Sequence, residues 1–169
     1  MMIDIEGNPI MELLGHEGAV NSLSQVTENE LVSGSWDATA KIWDLETGKV
    51  KQTLTGHTHA VSVLAIQGGT VITGSQDKMI RIWHNGKMEK EIKAHDDIVR
   101  GFSSVPQMHG FASCSNDEVV KLWSLDGTNL LEYRGHSGFV FAIDTLESGE
   151  IVTGGDDCTV RVWDQGECK

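Results

Sequence analysis

Residues 33–44 read SGSWDATAKIWD, and the same pattern returns as TGSQDKMIRIWH at 73–84, SCSNDEVVKLWS at 113–124 and TGGDDCTVRVWD at 153–164. Trp43, Trp83, Trp123 and Trp163 therefore stand forty residues apart, as do Asp37, Asp77, Asp117 and Asp157 and the hydroxyl residues Ser33, Thr73, Ser113 and Thr153. His16, His57, His95 and His136 open the four units with only small slippage. Four chemical positions sharing one period mark a repeat architecture, in which each unit is a small supersecondary element that buries its apolar face on the next.

Inside each unit, short β-branched or aliphatic runs are separated by Gly, Asp, Asn and Ser; in the second unit they fall at 61–66, 70–73 and 79–83. Such runs read as strands. The turns between them are too short for a crossover helix, which excludes a parallel β-α-β architecture. Pro9 and Pro106, the two prolines, interrupt none of the runs, as sheet pairing requires. A period near 40 with Gly-His at the start of a unit and Trp-Asp at its end is the signature of WD-repeat propellers, whose blades are four-stranded antiparallel sheets. The expected fold is all-β: a WD-repeat β-propeller segment of four such blades at 10–169, preceded by an N-terminal segment at 1–9. The repeats lie at about 15–44, 56–84, 94–124 and 135–164. Trp83-His84 and Ala94-His95 depart from the pattern but keep the Trp and the His.

Four blades raise the question of closure. The chain opens with an outer-type strand near 10–14 and reaches the third strand of its last unit at its end. That first strand could complete blade four and close a four-bladed ring. An open arc, a two-chain ring of eight blades and a piece of a larger propeller satisfy the pattern equally. Exposed apolar blade faces imply self-association.

The charge narrows the partners. Thirteen basic against 25 acidic side chains give −12, which repels a phosphate backbone and argues against nucleic acid. No apolar run approaches the roughly 18 residues of a membrane span, and the acidic first ten residues carry no basic signal region. Neither a membrane partner nor targeting is expected. Cys114, Cys158 and Cys168 form no CxxC pair, leave one over, and share the chain with no N-x-S/T acceptor. This points to a reducing compartment, the cytoplasm and also the nucleus.

Recurrent Ser/Thr, His and Asp suggest nucleophilic hydrolysis, and the histidines suggest a metal. A hydrolase needs one exposed set, whereas this chain carries four and lacks a G-x-S-x-G elbow. There is no H-E-x-x-H or paired-cysteine spacing for a metal, and no glycine motif for a phosphate. No cofactor and no catalytic residue are expected. His59, His84 and His109 fall at turns or strand ends and read as solvated residues. The repeating set reads instead as four structural tetrads: His16, Ser33, Asp37 and Trp43; His57, Thr73, Asp77 and Trp83; His95, Ser113, Asp117 and Trp123; His136, Thr153, Asp157 and Trp163. In an antiparallel blade the His and the Asp meet at one rim. The His can donate to the Asp and accept from the hydroxyl, and the hydroxyl can accept from the indole N–H.

The same topology locates a working surface. Entry to each first strand and the turn before each third strand share the top rim, where Asn21, Trp36, Ile98, Arg100, Phe139 and Phe141 are the candidate binding residues. Beside them lie Ala19, Ala60, Ser62, Gln76, Asn116 and Asp156. Trp36 sits in a polar turn outside the repeating tryptophan position, and aromatic and Arg residues are the usual anchors of protein interfaces. The competing reading is that Trp36, Phe139 and Phe141 pack between blades.

Residues between the motifs are more specific. Gly15-His16 with Val20-Asn21-Ser22-Leu23-Ser24, Gly34-Ser35-Trp36-Asp37 with Thr39-Ala40-Lys41-Ile42-Trp43, and Cys114-Ser115-Asn116-Asp117 resemble the phospholipase A-2-activating protein family. So do Tyr133-Arg134-Gly135-His136 and Gly166-Glu167-Cys168. The resemblance spans nearly the whole chain and implies about the third to sixth blades of a seven-bladed propeller. Members of that family look like ubiquitin-binding adaptors of the valosin-containing protein ATPase, with the propeller as one ubiquitin-binding part. The resemblance carries no residue match to the family's two downstream domains, so it implies no ATPase docking here. A protein partner, ubiquitin, is expected; the alternative is a generic WD-repeat scaffold for another protein or peptide.

Overall fold

The structure, a computed structural model, describes residues 2–3, 9–66, 68–164 and 167–168. Alternation of apolar and small polar residues with turn punctuation produces four sheets of four antiparallel strands. Before them, β1 (Met2–Ile3) pairs with β2 (Pro9–Met11) in a separate two-stranded sheet. Blade one is β3 (Val20–Thr27), β4 (Glu30–Ser35), β5 (Ala40–Asp44) and β6 (Val50–Leu54). Blade two is β7 (Val61–Ile66), β8 (Thr70–Ser75), β9 (Met79–His84) and β10 (Lys87–Lys93). Blade three is β11 (Val99–Val105), β12 (Gly110–Ser115), β13 (Val119–Ser124) and β14 (Asn129–Arg134), with a 3-10 turn at Pro106–Met108 that His109 ends in the left-handed region. Blade four is β15 (Val140–Thr145), β16 (Ile151–Gly155), β17 (Val160–Asp164) and β18 (Glu167–Cys168).

In each blade the strands follow chain order, so the first strand is innermost and the fourth lies at the outside. The inner strands β3, β7, β11 and β15 run side by side. Their crowding selects small polar residues that bond across blades: Ser22 and Ser24 accept from the backbone N–H groups of Val63 and Ala65 at 3.1 and 2.9 Å. Gly34 permits the closest approach, since a Cβ there would lie 2.3 Å from the carbonyl oxygen of Val61.

The core is one interface repeated three times. Val32, Ala40 and Ile42 of blade one meet Val61, Val71 and Trp83 of blade two. Ile72, Ile80 and Ile82 of blade two meet Val99, Phe111 and Trp123 of blade three. Ala112, Val120 and Leu122 of blade three meet Val140, Ile151 and Trp163 of blade four. Each sheet thus offers a following face built on the even-numbered residues of its middle strands and receives its predecessor on the other. Period-two alternation in strands buried on both sides puts apolar residues on the following face, while the polar residues of the middle strands, Ser33, Thr73, Ser113 and Thr153 among them, are buried.

Two expectations at the ends are corrected. The segment after Pro9 is not a lone outer strand over 10–14; its strand ends at Met11 and pairs with β1, which satisfies its backbone groups. Blade four does not stop at its third strand, because β18 pairs with Trp163 and Asp164 of β17. Among the described residues β2 pairs with β1 and not with blade four, and no extensive contact joins blade four to blade one, so the N-terminal strand does not complete blade four as a clasp.

Candidate functional site

The rim is built by the same rule in every blade. The turn between second and third strands is tied to the loop entering the first: Trp36 donates to the carbonyl of Ala19 at 2.9 Å, Gln76 to Ala60 at 3.2 Å, Asn116 to Ile98 at 3.0 Å and Asp156 to Phe139 at 2.8 Å, all from backbone N–H groups. The residue after the recurring Asp takes a positive φ in each turn, 65° at Ala38, 74° at Lys78, 69° at Glu118 and 61° at Cys158. Non-glycine residues hold that conformation at a cost, and here the Asp side chain offsets it. In blade one Asp37 accepts from the backbone N–H and the hydroxyl of Thr39 at 2.9 and 2.7 Å through one oxygen, and from the N–H of Glu17 at 3.0 Å through the other.

Beneath this rim the recurring side chains are hydrogen-bonded. His16 Nδ1 lies 2.7 Å from Asp37, its Nε2 lies 2.7 Å from Ser33 Oγ, and the Trp43 indole donates to that oxygen at 2.7 Å. The corresponding distances are 2.8, 2.9 and 2.9 Å for His57, Thr73, Asp77 and Trp83. They are 2.8 Å throughout for His95, Ser113, Asp117 and Trp123 and again for His136, Thr153, Asp157 and Trp163. The hydroxyl accepts from the indole and donates to the imidazole, whose other nitrogen donates to the carboxylate. Burial pushes the Asp117 carboxyl up, but the His95 imidazole and the N–H groups of Asp96 and Val119 outweigh it and hold it at about 2. The same contest leaves Asp37, Asp77 and Asp157 below the usual carboxylate range. Burial holds His57 below the ordinary imidazole value against the pull of Asp77. All four hydroxyl side chains are buried. A nucleophile needs access to substrate, and none of the four has it.

A fifth repeating position, which meets the tetrad in blades two to four, was not singled out from the sequence. Lys41, Arg81, Lys121 and Arg161 also recur every forty residues. Arg81 reaches Asp77 at 3.5 Å and Arg161 reaches Asp157 at 3.8 Å. Lys121 lies over the Trp123 ring at 5.9 Å and Arg161 over the Trp163 ring at 6.0 Å. The shared interval was the signal that identifies them.

Of the candidate rim residues, the structure gathers four across blades three and four. Arg100 donates from Nε to the buried Asn116 at 2.7 Å, and its guanidinium lies 5.4 Å from the Phe141 ring centroid. Phe139 meets Phe141 edge to face at 6.2 Å. Ile98 is half-buried in the loop that Asn116 clamps. Phe139 and Phe141 remain 42% and 49% exposed, and Trp36 on blade one is 65% exposed. Asn21 is also exposed. Trp36 therefore does not pack between blades. An apolar surface backed by a hydrogen-bonded cation can take up a protein side chain or a short segment of chain. Among the described residues there is no group of three or more His, Cys, Asp or Glu placed to hold a metal, and no helix long and apolar enough to cross a membrane. His59 and His109 are exposed and His84 half-buried at the end of β9.

Antiparallel four-stranded blades, each braced by a His, hydroxyl, Asp and Trp set, define a WD-repeat β-propeller. The family model for the WD domain, G-beta repeat, matches residues 7–44, 48–84, 86–124 and 127–164, and the chain belongs to that family. It is 42% identical over 163 residues to the ubiquitin homeostasis protein lub1 of Schizosaccharomyces pombe, covering 95% of this chain and 22% of that protein. It is 39% identical to protein DOA1 of Saccharomyces cerevisiae over 82% of this chain and 20% of that protein. A ribosome biogenesis protein WDR12 homolog of Culex quinquefasciatus is 31% identical over 92% of this chain and 39% of its own length. The chain thus spans about a fifth of the first two relatives. The crystal structure of the WD40 β-propeller domain of Doa1 superposes with a TM-score of 0.86 at 38% identity, over 96% of this chain and 56% of that one. The resemblance to the propeller of phospholipase A-2-activating protein is borne out.

Proposed function

We propose that this chain is a protein-interaction module of ubiquitin homeostasis that binds ubiquitin on its top rim, through Phe139, Phe141, Arg100 and Ile98, with Trp36 and Asn21 extending the surface. The observation that carries the reading is the exposed Phe139–Phe141 pair held under Arg100, an aromatic and cationic anchor open to solvent. The printed name of lub1 and the likeness to DOA1 supply the choice of partner. The net charge of −12 steers a partner whose contact face is basic. The four buried tetrads serve as the frame that fixes the rim turns, and the module works in the cytoplasm and the nucleus without a cofactor.

Titration of labelled ubiquitin with this chain, followed by amide shifts, tests the reading. Saturable shifts on one contiguous ubiquitin surface, weakened by Phe141→Ala, are expected; no shifts from the folded chain would overturn it. Similarity to WDR12 homologs favours a second reading, a WD-repeat scaffold for a different protein. Under that reading ubiquitin stays unshifted.

A further inference from the structure

Neighbouring blades are joined along their inner strands, and the seam between blades two and three is open on the bottom rim, the side of the turns that follow each first and third strand. Between blades one and two Ser24 accepts from the N–H of Ala65 at 2.9 Å, and between blades three and four Ser103 Oγ lies 2.8 Å from Thr145 Oγ1. Between blades two and three a bond is made near the top, where the Ser62 hydroxyl donates to the carbonyl of Arg100 at 3.3 Å. Lower down, Leu64 stands forty residues after Ser24 and offers no polar atom. Strands β7 and β11 are accordingly less closely apposed than β3 and β7 or β11 and β15. A groove of about 450 Å³ opens in that seam, lined by Ala65, Ile66, Ser104, Pro106, His109 and Leu125. Its volume falls within the roughly 300 to 1,000 Å³ of sites that hold a ligand. Both walls belong to internal blades.

The turn that forms one wall departs from its counterparts. Residues 106–109 read PQMH and are closed by the N–H of His109 on the carbonyl of Pro106 at 3.0 Å; in blade four 146–149 read LESG and are closed by Gly149 on Leu146 at 2.9 Å. Gly149 has φ 101° and Gly69, at the same register in blade two, φ 77°, whereas His109 holds φ 48° with a β-carbon. Glycine adopts this conformation freely, so the imidazole at the edge of the groove is kept against the backbone preference. Gln107 draws the blade-four turn alongside, donating to the carbonyl of Glu147 at 3.1 Å. The turns at 106–109, 125–128 and 146–149 contain Asp126 and Glu147 and no Lys or Arg. Hydrogen bonds from Ser124 and Thr128 hold the Asp126 carboxyl at about 2, with Lys90 of β10 adding to the effect, so the charge beside Leu125 is permanent at neutral pH.

We propose that this groove is a second docking site, which takes a short linear segment of a partner protein carrying an aliphatic or aromatic side chain next to a Lys or Arg. The apolar side chain enters between Ile66 and Leu125, and the cation meets the acidic turns at the mouth. Ser104 and His109 supply hydrogen-bonding groups for the main chain of the segment. The site is independent of the ubiquitin reading. Arg100 and Ser104 lie four residues apart on β11, about 13 Å along the strand, so rim and groove open on opposite sides and fill together.

Random peptides displayed on phage, panned on the immobilised chain, test this, with the enriched peptide synthesised with a fluorescein label and its binding followed by anisotropy. Enriched peptides are expected to share an apolar side chain beside Lys or Arg, and added salt weakens them. His109→Gly raises the dissociation constant about tenfold without lowering the urea midpoint, because glycine suits the turn. Ser104→Trp fills the groove and abolishes binding; should that variant unfold, His109→Gly decides alone. Phe141→Ala leaves peptide binding intact, and amide shifts of labelled ubiquitin are the same with the His109→Gly chain as with the parent, so the two sites stand or fall separately. No enrichment on the folded chain, a consensus without a cation, binding indifferent to His109→Gly, or binding lost with Phe141→Ala each overturns the proposal.

Discussion

Arg100 of blade three reaches across the blade boundary to lie over the ring of Phe141 in blade four, 5.4 Å from guanidinium carbon to ring centroid. Asn116 fixes the guanidinium from behind at 2.7 Å, so the pair is preorganised and not a chance surface contact. Phe141→Ala removes the anchor while costing little stability, because the ring is half-exposed. Affinity for ubiquitin is expected to fall about tenfold, roughly 1.4 kcal/mol, with the urea midpoint nearly unchanged. Titration calorimetry beside urea unfolding checks both; equal affinity would remove Phe141 from the site.

Thr73 Oγ1 is shared by His57 and Trp83, each 2.9 Å away in the interior. Thr73→Val keeps the shape and strands both partners. A loss of about 2 to 4 kcal/mol is expected, and Thr73→Ser recovers most of it. Urea denaturation of the two variants decides the matter, and a valine variant within 0.5 kcal/mol of the parent, about the scatter of neutral surface changes, would refute the shared-hydroxyl account.

Gly34 faces the carbonyl of Val61 in the next blade so closely that a methyl group would sit 2.3 Å from it. Gly34→Ala must spread blades one and two, at a cost of about 2 kcal/mol or more. Hydrogen exchange should show the inner strands β3 and β7 losing protection before blade three does. Unaltered exchange across β3 and β7 would count against the close approach.

Acid should weaken the fold in two stages. His57 has its folded value below the ordinary 6.5, so the unfolded chain binds the extra proton first and stability declines as pH falls below about 6.5. Asp37, Asp77, Asp117 and Asp157 are also depressed. Their contribution is complete above the ordinary carboxylate value near 3.9 and is lost as pH falls toward the folded value, about 2 for Asp117. Thermal midpoints measured from pH 7 downward should fall gently, then steeply below about 4. A flat profile through both windows contradicts the tetrad electrostatics.

Burial pushes the Cys114 thiol up to about 12, whereas Cys158 is exposed on the blade-four turn. In a Cys168→Ser background, a disulfide reagent at neutral pH should titrate one thiol promptly and the second only on unfolding, since the thiolate is the reactive form. Two prompt equivalents would place Cys114 outside the core.

The fold was legible because its determinants are local and repeat. Trp43 and its three equivalents mark third strands, and Asp37 and its equivalents mark the turns before them, without knowledge of neighbouring blades. The pairing of Arg100 with Phe141 was not legible, because it depends on the twist between two blades that sequence spacing does not encode. The exposure of Val160 was equally hidden: it reads in sequence like Val120, and only the presence or absence of a following sheet separates a residue in the core from one at 75% exposure. The cationic position at Lys41, Arg81, Lys121 and Arg161 obeyed the same interval and was legible in principle. At the ends the reading failed, since β1–β2 pair outside the repeating pattern and the short β18, the fourth strand of blade four, was not read from the sequence.

Four of the five tryptophans give their indole N–H to a buried hydroxyl, one per blade, while Trp36 stands on the rim. The protein therefore carries an internal set of fluorophores insulated from solvent and a single emitter in contact with it. Acrylamide reaches the latter alone, and the difference spectrum isolates its signal. A molecule settling on the rim is visible without any label, against a background that stays silent until a blade itself comes apart.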